Sequence, residues 1–186
     1  MAEPGKAQIV AGAPSTAKPV ALAVGTWTLD AGQSRFEFRV KHFWGLMTVR
    51  GQFAQVEGTA EVDPSGSIAA TLRIDAASLN TKQKQRDKHL LSADFFDVAN
   101  HPAVTFSSRR VTAVSEDHLN VEGDLSVAGH SQPIAFDARL SELSGKTALV
   151  DLEVGVDRTG FGMTWNPLRM TAANVVLVGH ALFAKP

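Results

Sequence analysis

The chain of 186 residues contains no cysteine. This absence excludes a disulfide framework, a cysteine-based zinc site, an iron–sulfur cluster and a thiol nucleophile. The sequence also lacks any run of about 18 consecutive apolar residues, so no transmembrane helix is expected. Neither sign of charge dominates, because 18 Lys and Arg stand against 19 Asp and Glu. A strongly basic nucleic-acid surface and an acidic solvating tail are therefore both unexpected.

Catalytic and cofactor motifs are equally scarce. Gly32-Gln33-Ser34 begins a nucleophile elbow, but Phe36 occupies the place of the second glycine. The chain has no H-E-x-x-H, and none of its six histidines pairs with another at metal-ligand spacing. A metal site assembled in space from distant residues stays open as an alternative. We predict no catalytic residue, no metal ligand and no cofactor, because no nucleophile, base and orienting group can be assigned together.

Residues 1–24 are rich in alanine, proline and glycine, which is typical of a flexible tail. The apolar run Val20–Val24 is shorter than the about 7–15 residues that a secretion signal requires. A cytoplasmic location is therefore expected. Residues 25–186 are predicted to form one domain, since this length is sufficient for a single hydrophobic core.

Most of this domain alternates between apolar and polar residues, which is typical of half-buried strands. Phe36, Phe38 and Val40 begin the series, and similar runs recur up to residues 174–184. A slip of parity near Gln55 predicts a bulge in a long strand over residues 47–62. About eight strands joined by short turns predict an all-β fold, an antiparallel eight-stranded β-barrel.

Two segments depart from this rhythm. Residues 78–101 lack alternation, and their helix formers predict a short helix from about Lys82 to Leu91, capped by Asn80 or Thr81. The last strand is apolar on both faces, so something should cover its outer face. A second copy of the chain is one such cover, which predicts a homodimer.

An ordered series of motifs resembles the YceI-like family. It comprises Trp27-Thr28-Leu29-Asp30, Ser34-x-Phe36-x-Phe38-x-Val40-x-His42, Val49-x-Gly51-x-Phe53, Asp75-x-x-Ser78-Leu79-x-Thr81, Arg86-Asp87-x-His89-Leu90, Asp94-Phe95-Phe96-Asp97-Val98, His101-Pro102-x-Val104-x-Phe106, Val121-x-Gly123-x-Leu125 and Arg158-x-x-Phe161-Gly162. The resemblance runs from about Gly25 to Ala184. His130-Ser131 departs from it, because the family usually has an apolar residue and a threonine there.

The resemblance implies a lipocalin-like barrel with a helix packed against it, usually dimeric and in many members secreted or periplasmic. It also implies a non-enzymatic carrier of a long amphiphile, such as a polyprenyl pyrophosphate or an isoprenoid quinone. The expected partner is therefore a lipid or isoprenoid ligand. The alternative is an enzyme on the same barrel, a hydrolase or isomerase using His42 or His89 with Asp87.

The inward-facing series supplies the predicted lumen residues. They are Phe36, Phe38, Val40, His42, Phe53, Leu72, Ile74, Phe106, Leu125, Phe136, Val150 and Val154. Pattern alone also allows them to fill a solid core, whereas the family resemblance favours a ligand-holding lumen. Small inward residues support an open lumen, namely Gly51, Gly58, Ala60, Ala70, Gly123, Ala138 and Ala148.

A basic cluster on the predicted helix is the candidate headgroup site. Lys82, Arg86 and His89 share one helical face and suit an anionic headgroup at the barrel mouth. A solvated helix face with local pairing to Asp87 is the alternative. His42 is either a satisfied core histidine or a polar ligand contact. Phe161 and Trp165 lie in the connection before the last strand, where they form either a lid or plain packing.

Overall fold

The computed structural model describes residues 22–186, so all but the end of the predicted N-terminal tail lies outside the described residues. Eleven strands and one α-helix follow in chain order, with short 3-10 helices at Ala76–Ser78, Arg158–Phe161 and Pro167–Arg169. The strands and the α-helix are β1 (Gly25–Leu29), β2 (Arg35–His42), β3 (Met47–Phe53), β4 (Val56–Val62), β5 (Ile68–Asp75), β6 (Leu79–Asn80), α1 (Lys84–Leu90), β7 (Ala103–Ala113), β8 (His118–Val127), β9 (His130–Leu143), β10 (Thr147–Asp157) and β11 (Thr171–Ala184).

Eight of these strands close into an antiparallel barrel, as the alternation predicts. The ring runs β1-β4-β5-β7-β8-β9-β10-β11 and returns to β1, where Thr28 pairs with Ala184. The remaining strands extend this ring at one end. β2 pairs with β11 from Thr171 to His180, whereas β1 pairs only with its last two residues, Phe183 and Ala184. β3 then pairs with the other edge of β2.

The parity slip near Gln55 corresponds to a break, so the single bulged strand predicted over residues 47–62 is two strands, β3 and β4. Residues 54 and 55 separate β3 from β4, and the Ser78 hydroxyl accepts the backbone N–H groups of both Ala54 and Gln55. The register between β7 and β8 shifts between Ser108 and Arg110. At this shift the extra residue moves the following side chains of β7 to the other face of the sheet.

The helix is shorter than the predicted Lys82–Leu91, and neither Asn80 nor Thr81 caps it. α1 begins after Gln83, which makes no side-chain capping bond. The Asn80 side chain instead accepts the Lys82 N–H group, and the Thr81 N–H and hydroxyl groups both donate to Asp87. The loop before the helix therefore uses both candidate caps. Within residues 22–186, no helix has the length and apolar character needed to cross a membrane.

One end of the barrel is filled by side chains. Trp27 is 1% exposed and packs with Val62, Leu119 and Leu140 in a closed cluster. Three small residues expected to open the lumen, Ala60, Ala138 and Ala148, lie in or against this cluster instead. None of the seven small residues lines the cavity described below. The small side chains leave space for large neighbours in the core.

The opposite end is open on one side, where β3 has only the two-residue strand β6 as a neighbour. The segment that contains α1 fills this gap. Phe96 packs against the rings of Phe38 and Phe53, with centroids 6.4 and 5.9 Å apart, and Leu90 and Leu91 pack on the same cluster. The unpatterned segment thus becomes part of the wall at this end.

The outer face of β11 is covered within the chain at its most buried position. Val178 is 6% exposed and lies between Glu37 of β2 and Glu153 of β10 in the sheet register. Arg39 donates from Nε to Glu37 at 2.7 Å and reaches Glu153 at 3.9 Å. Charged side chains and their aliphatic stems thus shield this apolar position. The homodimer expected from this face stays a prediction.

Candidate functional site: an apolar cavity with a basic mouth

The open end of the barrel contains a cavity of about 1070 Å³. Its wall is built from inward-facing side chains of the strands and from one side of α1 and the β10–β11 loop (residues 158–170). Ligand pockets in proteins commonly measure about 300–1,000 Å³. The cavity therefore suits a ligand larger than a typical metabolite, provided that most of that ligand is apolar.

Eleven of the twelve predicted lumen residues line this cavity; Val150 does not. Val150 points inward but packs in the filled half of the barrel, among residues of both main core clusters. Direct ligand contact by the other eleven stays a prediction. Both expectations for these residues hold in part, because the inward side chains fill one end of the barrel and surround a cavity at the other.

Several wall residues were absent from the predicted set. Val127, Ile134 and Val156 continue the inward alternation of their strands, so the same pattern indicates them. Met163 and Met170 lie in the β10–β11 loop, where no periodic pattern exists to indicate them. Phe95 and Phe96 belong to the segment after α1, where the sequence does not alternate between apolar and polar residues.

Three rings meet at the mouth of the cavity. Trp165 of the β10–β11 loop lies with its ring centroid 4.5 Å from that of His89 and 5.7 Å from that of Phe95. The rings of His89 and Phe95 are 5.1 Å apart, edge to face. This contact joins the loop to the α1 segment across the opening. Phe161 also lines the cavity, but it is 4% exposed and packs in the core, whereas Trp165 lies at the rim.

His42 both lines the cavity and has a polar partner. Its Nδ1 lies 2.7 Å from the Thr171 hydroxyl oxygen, and its ring stands edge-on to Phe43. Asn166 exchanges two hydrogen bonds with the backbone of Thr171, which fixes the start of β11. His42 therefore fits both expectations, because its Nδ1 is paired with a hydroxyl within the fold while the ring also lines the cavity.

The basic side chains of the α1 segment divide into two sets. Helical spacing accounts for Arg86 and His89 on one face, whereas Lys82 precedes α1, with a φ of 62°, and reaches the cavity from the loop. Lys82, Arg86 and His89 line the cavity, whereas Lys84 and Lys88 do not. Arg86 donates from Nε to the Thr81 hydroxyl and from Nη2 to the Thr81 carbonyl oxygen, both at 2.8 Å. Its guanidinium therefore stands fixed at the rim and has its remaining donors available. Such a fixed cation suits a phosphate or another anionic headgroup.

The structure does not pair His89 with Asp87. The Nε2 atom of His89 lies 3.0 Å from Asp94, whereas Asp87 accepts the donors of Thr81. Residues two positions apart on a helix point in different directions, which explains the separation. The His89–Asp87 pair that the enzyme alternative requires is therefore not formed. Among the side chains of residues 22–141 and 144–186, no group of three potential metal ligands comes together either.

A buried arginine lies below the mouth and was not among the predicted site residues. Arg158 is 5% exposed and lines the cavity. Its Nε donates to the Ala172 carbonyl oxygen at 3.1 Å, and its Nη1 donates to the carbonyl oxygens of Met163 and Trp165. Burial lowers the pKa of this guanidinium, and the nearby Asp157 opposes that shift. Arg158 thus ties the β10–β11 loop to the barrel and places positive charge beside the cavity.

Sequence comparison agrees with this geometry. The sequence profile of the YceI-like domain matches residues 27–182. The chain belongs to the YceI-like family. A UPF0312 protein of Vibrio cholerae is 31% identical over 124 residues, which cover 64% of this YceI-like chain and 65% of that protein. A UPF0312 protein of Pseudomonas savastanoi is 34% identical over 134 residues, or 63% of this chain and 69% of that protein.

Solved structures share the barrel of this YceI-like protein. BcnA of Burkholderia cenocepacia superposes with a TM-score of 0.75 at 21% identity, covering 83% of this chain and 98% of that one. A polyisoprenoid binding domain from Saccharophagus degradans superposes with a TM-score of 0.71 at 18% identity, covering 86% and 98%. At these identities the likeness shows the fold. The family departure at His130-Ser131 lies at the start of β9, and neither residue lines the cavity.

Proposed function

We propose that this YceI-like protein is a non-enzymatic carrier that holds a long-chain amphiphile of the polyisoprenoid class. The observation that carries the proposal is the cavity of about 1070 Å³, whose apolar wall ends at a rim containing Lys82 and Arg86. An apolar chain fits the wall, and an anionic or polar headgroup fits the rim. The binding domain from Saccharophagus degradans, with the same fold, is described as binding a polyisoprenoid, which supports this ligand class.

Burial of the chain accounts for the affinity. Each methylene removed from water contributes roughly 0.8 kcal/mol, so several isoprene units can offset the cost of ordering the ligand. Aromatic side chains at the wall, among them Phe36, Phe53 and Phe106, add large contact areas. The headgroup contacts then contribute selectivity rather than most of the affinity.

The arrangement of polar groups favours binding over catalysis. The hydroxyl groups at the cavity wall belong to Thr105 and Thr171, and the Thr171 hydroxyl is hydrogen-bonded to His42. Among the described residues, no carboxylate bonds to His42, so a nucleophile, base and orienting group do not assemble. The His89–Asp94 pair contacts Trp165 at the rim and lacks a hydroxyl partner.

Native mass spectrometry of freshly purified protein, with solvent extraction of the bound molecule, tests this proposal. We expect one long-chain lipid per protein, and its mass identifies the cargo. Val154→Trp should abolish retention because Val154 lines the cavity. The matched control is Glu153→Trp, whose side chain is on the outer face and exposed, so it should retain the lipid. Equal retention by both variants would place the ligand outside the cavity and contradict the proposal.

A His42→Ala variant separates the carrier from the enzyme. A carrier keeps its lipid with a modest loss, because His42 contributes one polar contact in a largely apolar wall. An enzyme that uses this imidazole loses turnover of the extracted lipid. Turnover of that lipid by the wild-type protein, abolished in His42→Ala, would overturn the carrier assignment.

A further inference from the structure

Large apolar side chains are exposed around the cavity mouth. Eight such residues are exposed among the side chains of residues 22–141 and 144–186. Five of them lie in the β2–β3 turn (residues 43–46) or the β10–β11 loop, namely Phe43, Trp44, Leu46, Trp165 and Leu168, and a sixth, Met47, begins β3. Leu46 is 85% exposed, Leu168 79% and Trp44 69%. Exposed apolar residues gathered at one place on a protein surface mark an interaction site.

The β2–β3 turn and the β10–β11 loop form one surface. The Trp44 N–H group donates to the Met170 carbonyl oxygen at 3.3 Å, which joins the β2–β3 turn to the β10–β11 loop. Phe43, Met47 and Trp165 line the cavity, but Trp44, Leu46 and Leu168 do not. These last three side chains therefore serve neither the core nor the cavity wall. We call the three residues the apolar rim.

The backbone presents these side chains at a conformational cost. Phe43, Trp44 and Leu168 have φ values of 49°, 52° and 56°, in the left-handed region that bulky residues rarely adopt. Each such residue costs on the order of 1 kcal/mol or more. The exposed side chains do not recover that energy by burial within the chain. Strained residues of this kind cluster at functional sites.

Positive charge surrounds the apolar rim. The segments 40–50, 82–92 and 159–171, which enclose the mouth, contain seven Lys and Arg and one acidic residue, Asp87. The nearby Asp94 pairs with His89. The whole chain, in contrast, has 18 basic and 19 acidic residues. The mouth is therefore basic on a protein whose net charge is −1.

We propose that the mouth docks on the surface of an anionic lipid bilayer, with Trp44, Leu46 and Leu168 inserted among the headgroups. Tryptophan favours the interface between water and hydrocarbon, and basic side chains near an anionic surface contribute about 1 kcal/mol each. The cavity then faces the bilayer, so that an amphiphile enters or leaves without crossing water. The mouth of a second copy is a poorer occupant, because two basic surfaces repel each other.

Vesicle sedimentation tests the docking independently of the cavity ligand. The probes are vesicles of phosphatidylcholine alone and of phosphatidylcholine with phosphatidylglycerol, at low and at high salt. We expect binding to the anionic vesicles that weakens with salt. Trp44→Ser combined with Leu46→Ser and Leu168→Asn should weaken that binding at least about tenfold, because the inserted apolar area is lost. Asn tolerates the left-handed backbone at position 168.

Val114→Ser is the matched control, since Val114 is 58% exposed in the turn between β7 and β8, at the opposite end of the barrel. It should bind vesicles as the wild type does. Equal vesicle binding by the triple variant, or no binding by the wild type, would overturn the proposal. So would a concentration-dependent dimer that the triple variant abolishes, because the rim would then contact a second copy. Lipid retention in native mass spectra should stay unchanged in the triple variant, which separates this test from that of the carrier.

Discussion

At the scale of single residues, the barrel depends on places where a side chain is missing. A Cβ atom at Gly123 would lie 2.5 Å from Cζ of Phe106 and would overlap the Ser107 carbonyl oxygen. A Cβ atom at Gly51 would similarly overlap the ring of Phe38. Each glycine therefore allows an aromatic ring of a neighbouring strand to lie flat across it, which shapes the wall of the cavity.

Gly123→Ala should accordingly destabilise the fold by about 1–3 kcal/mol, the usual cost of overpacking. The Ser107 carbonyl belongs to the β7 backbone and cannot move aside without disturbing its sheet pairing. Urea unfolding measures the change. Gly145→Ala is the control, because no atom lies within 4 Å of a Cβ placed there, and it should be close to neutral. Equal stability of the two variants would show that the contact at Gly123 relaxes freely.

The sequence indicates that these glycines face inward but not what meets them. Alternation assigns each residue of a strand to one face of the sheet, and it assigns Gly51 and Gly123 correctly to the inner one. Whether a small residue opens space or is covered by a neighbour depends on cross-strand register. The register brings Phe38 opposite Gly51, a contact between strands that no local pattern specifies.

At the scale of elements, the β10–β11 loop is the part of the site furthest from regular structure. Its conformation rests on side chains that donate to its backbone. Arg158 reaches the carbonyl oxygens of Met163, Trp165 and Ala172, and Asn166 bonds to both backbone groups of Thr171. Trp165 is thereby held against His89, so the loop forms one side of the mouth.

Arg158→Met should release this loop and destabilise the protein by on the order of 3 kcal/mol, because three carbonyl oxygens lose a charged donor. Hydrogen exchange should accelerate at residues 163–172 more than in the strands of the filled end. Arg110→Met provides the control, because Arg110 is exposed and its ion pair with Glu122 is long, at 4.0 Å. Uniform acceleration over the whole barrel would show that Arg158 supports the fold in general and not this loop.

Sequence reasoning predicts the strands well and the loop poorly, for a physical reason. A strand carries a period of two that survives in any single sequence, whereas the β10–β11 loop is fixed by one buried guanidinium that contacts carbonyl oxygens up to 14 residues away. The α1 segment lies between these cases. Its helical face was predictable from spacing, but its position beside β3 follows from the gap that β6 leaves in the sheet.

At the scale of the whole molecule, five carboxylates on strands and turns around the barrel have pKa values below their ordinary range. Burial alone would raise the pKa of Glu37, but hydrogen bonding and charge from Arg39, with Arg35 and Arg50, lower it overall. Burial likewise opposes a lowered pKa at Asp151, which Ser141 and His180 produce. The turn carboxylates Asp63, Asp117 and Asp157 also have lowered pKa values, mainly through hydrogen bonds from nearby side chains.

A carboxylate whose pKa is lower in the folded protein stabilises the fold above its unfolded pKa, and this contribution disappears as the pH falls through the folded pKa. The barrel should therefore lose stability in acid, below the ordinary glutamate pKa of 4.5. Glu37→Gln removes one such contribution, because the amide keeps the shape but not the charge. The variant should be less stable than the wild type at neutral pH by about 1 kcal/mol or less.

The difference between Glu37→Gln and the wild type should shrink toward zero as the pH falls from neutral to about 3, since the wild-type carboxyl also becomes neutral. Urea unfolding at several pH values measures both curves. Glu61→Gln serves as the control, because Glu61 is exposed on β4 and forms no ion pair with the described residues. A difference that stayed constant down to acid pH would show that Glu37 stabilises the fold through packing over Val178 and not through its charge.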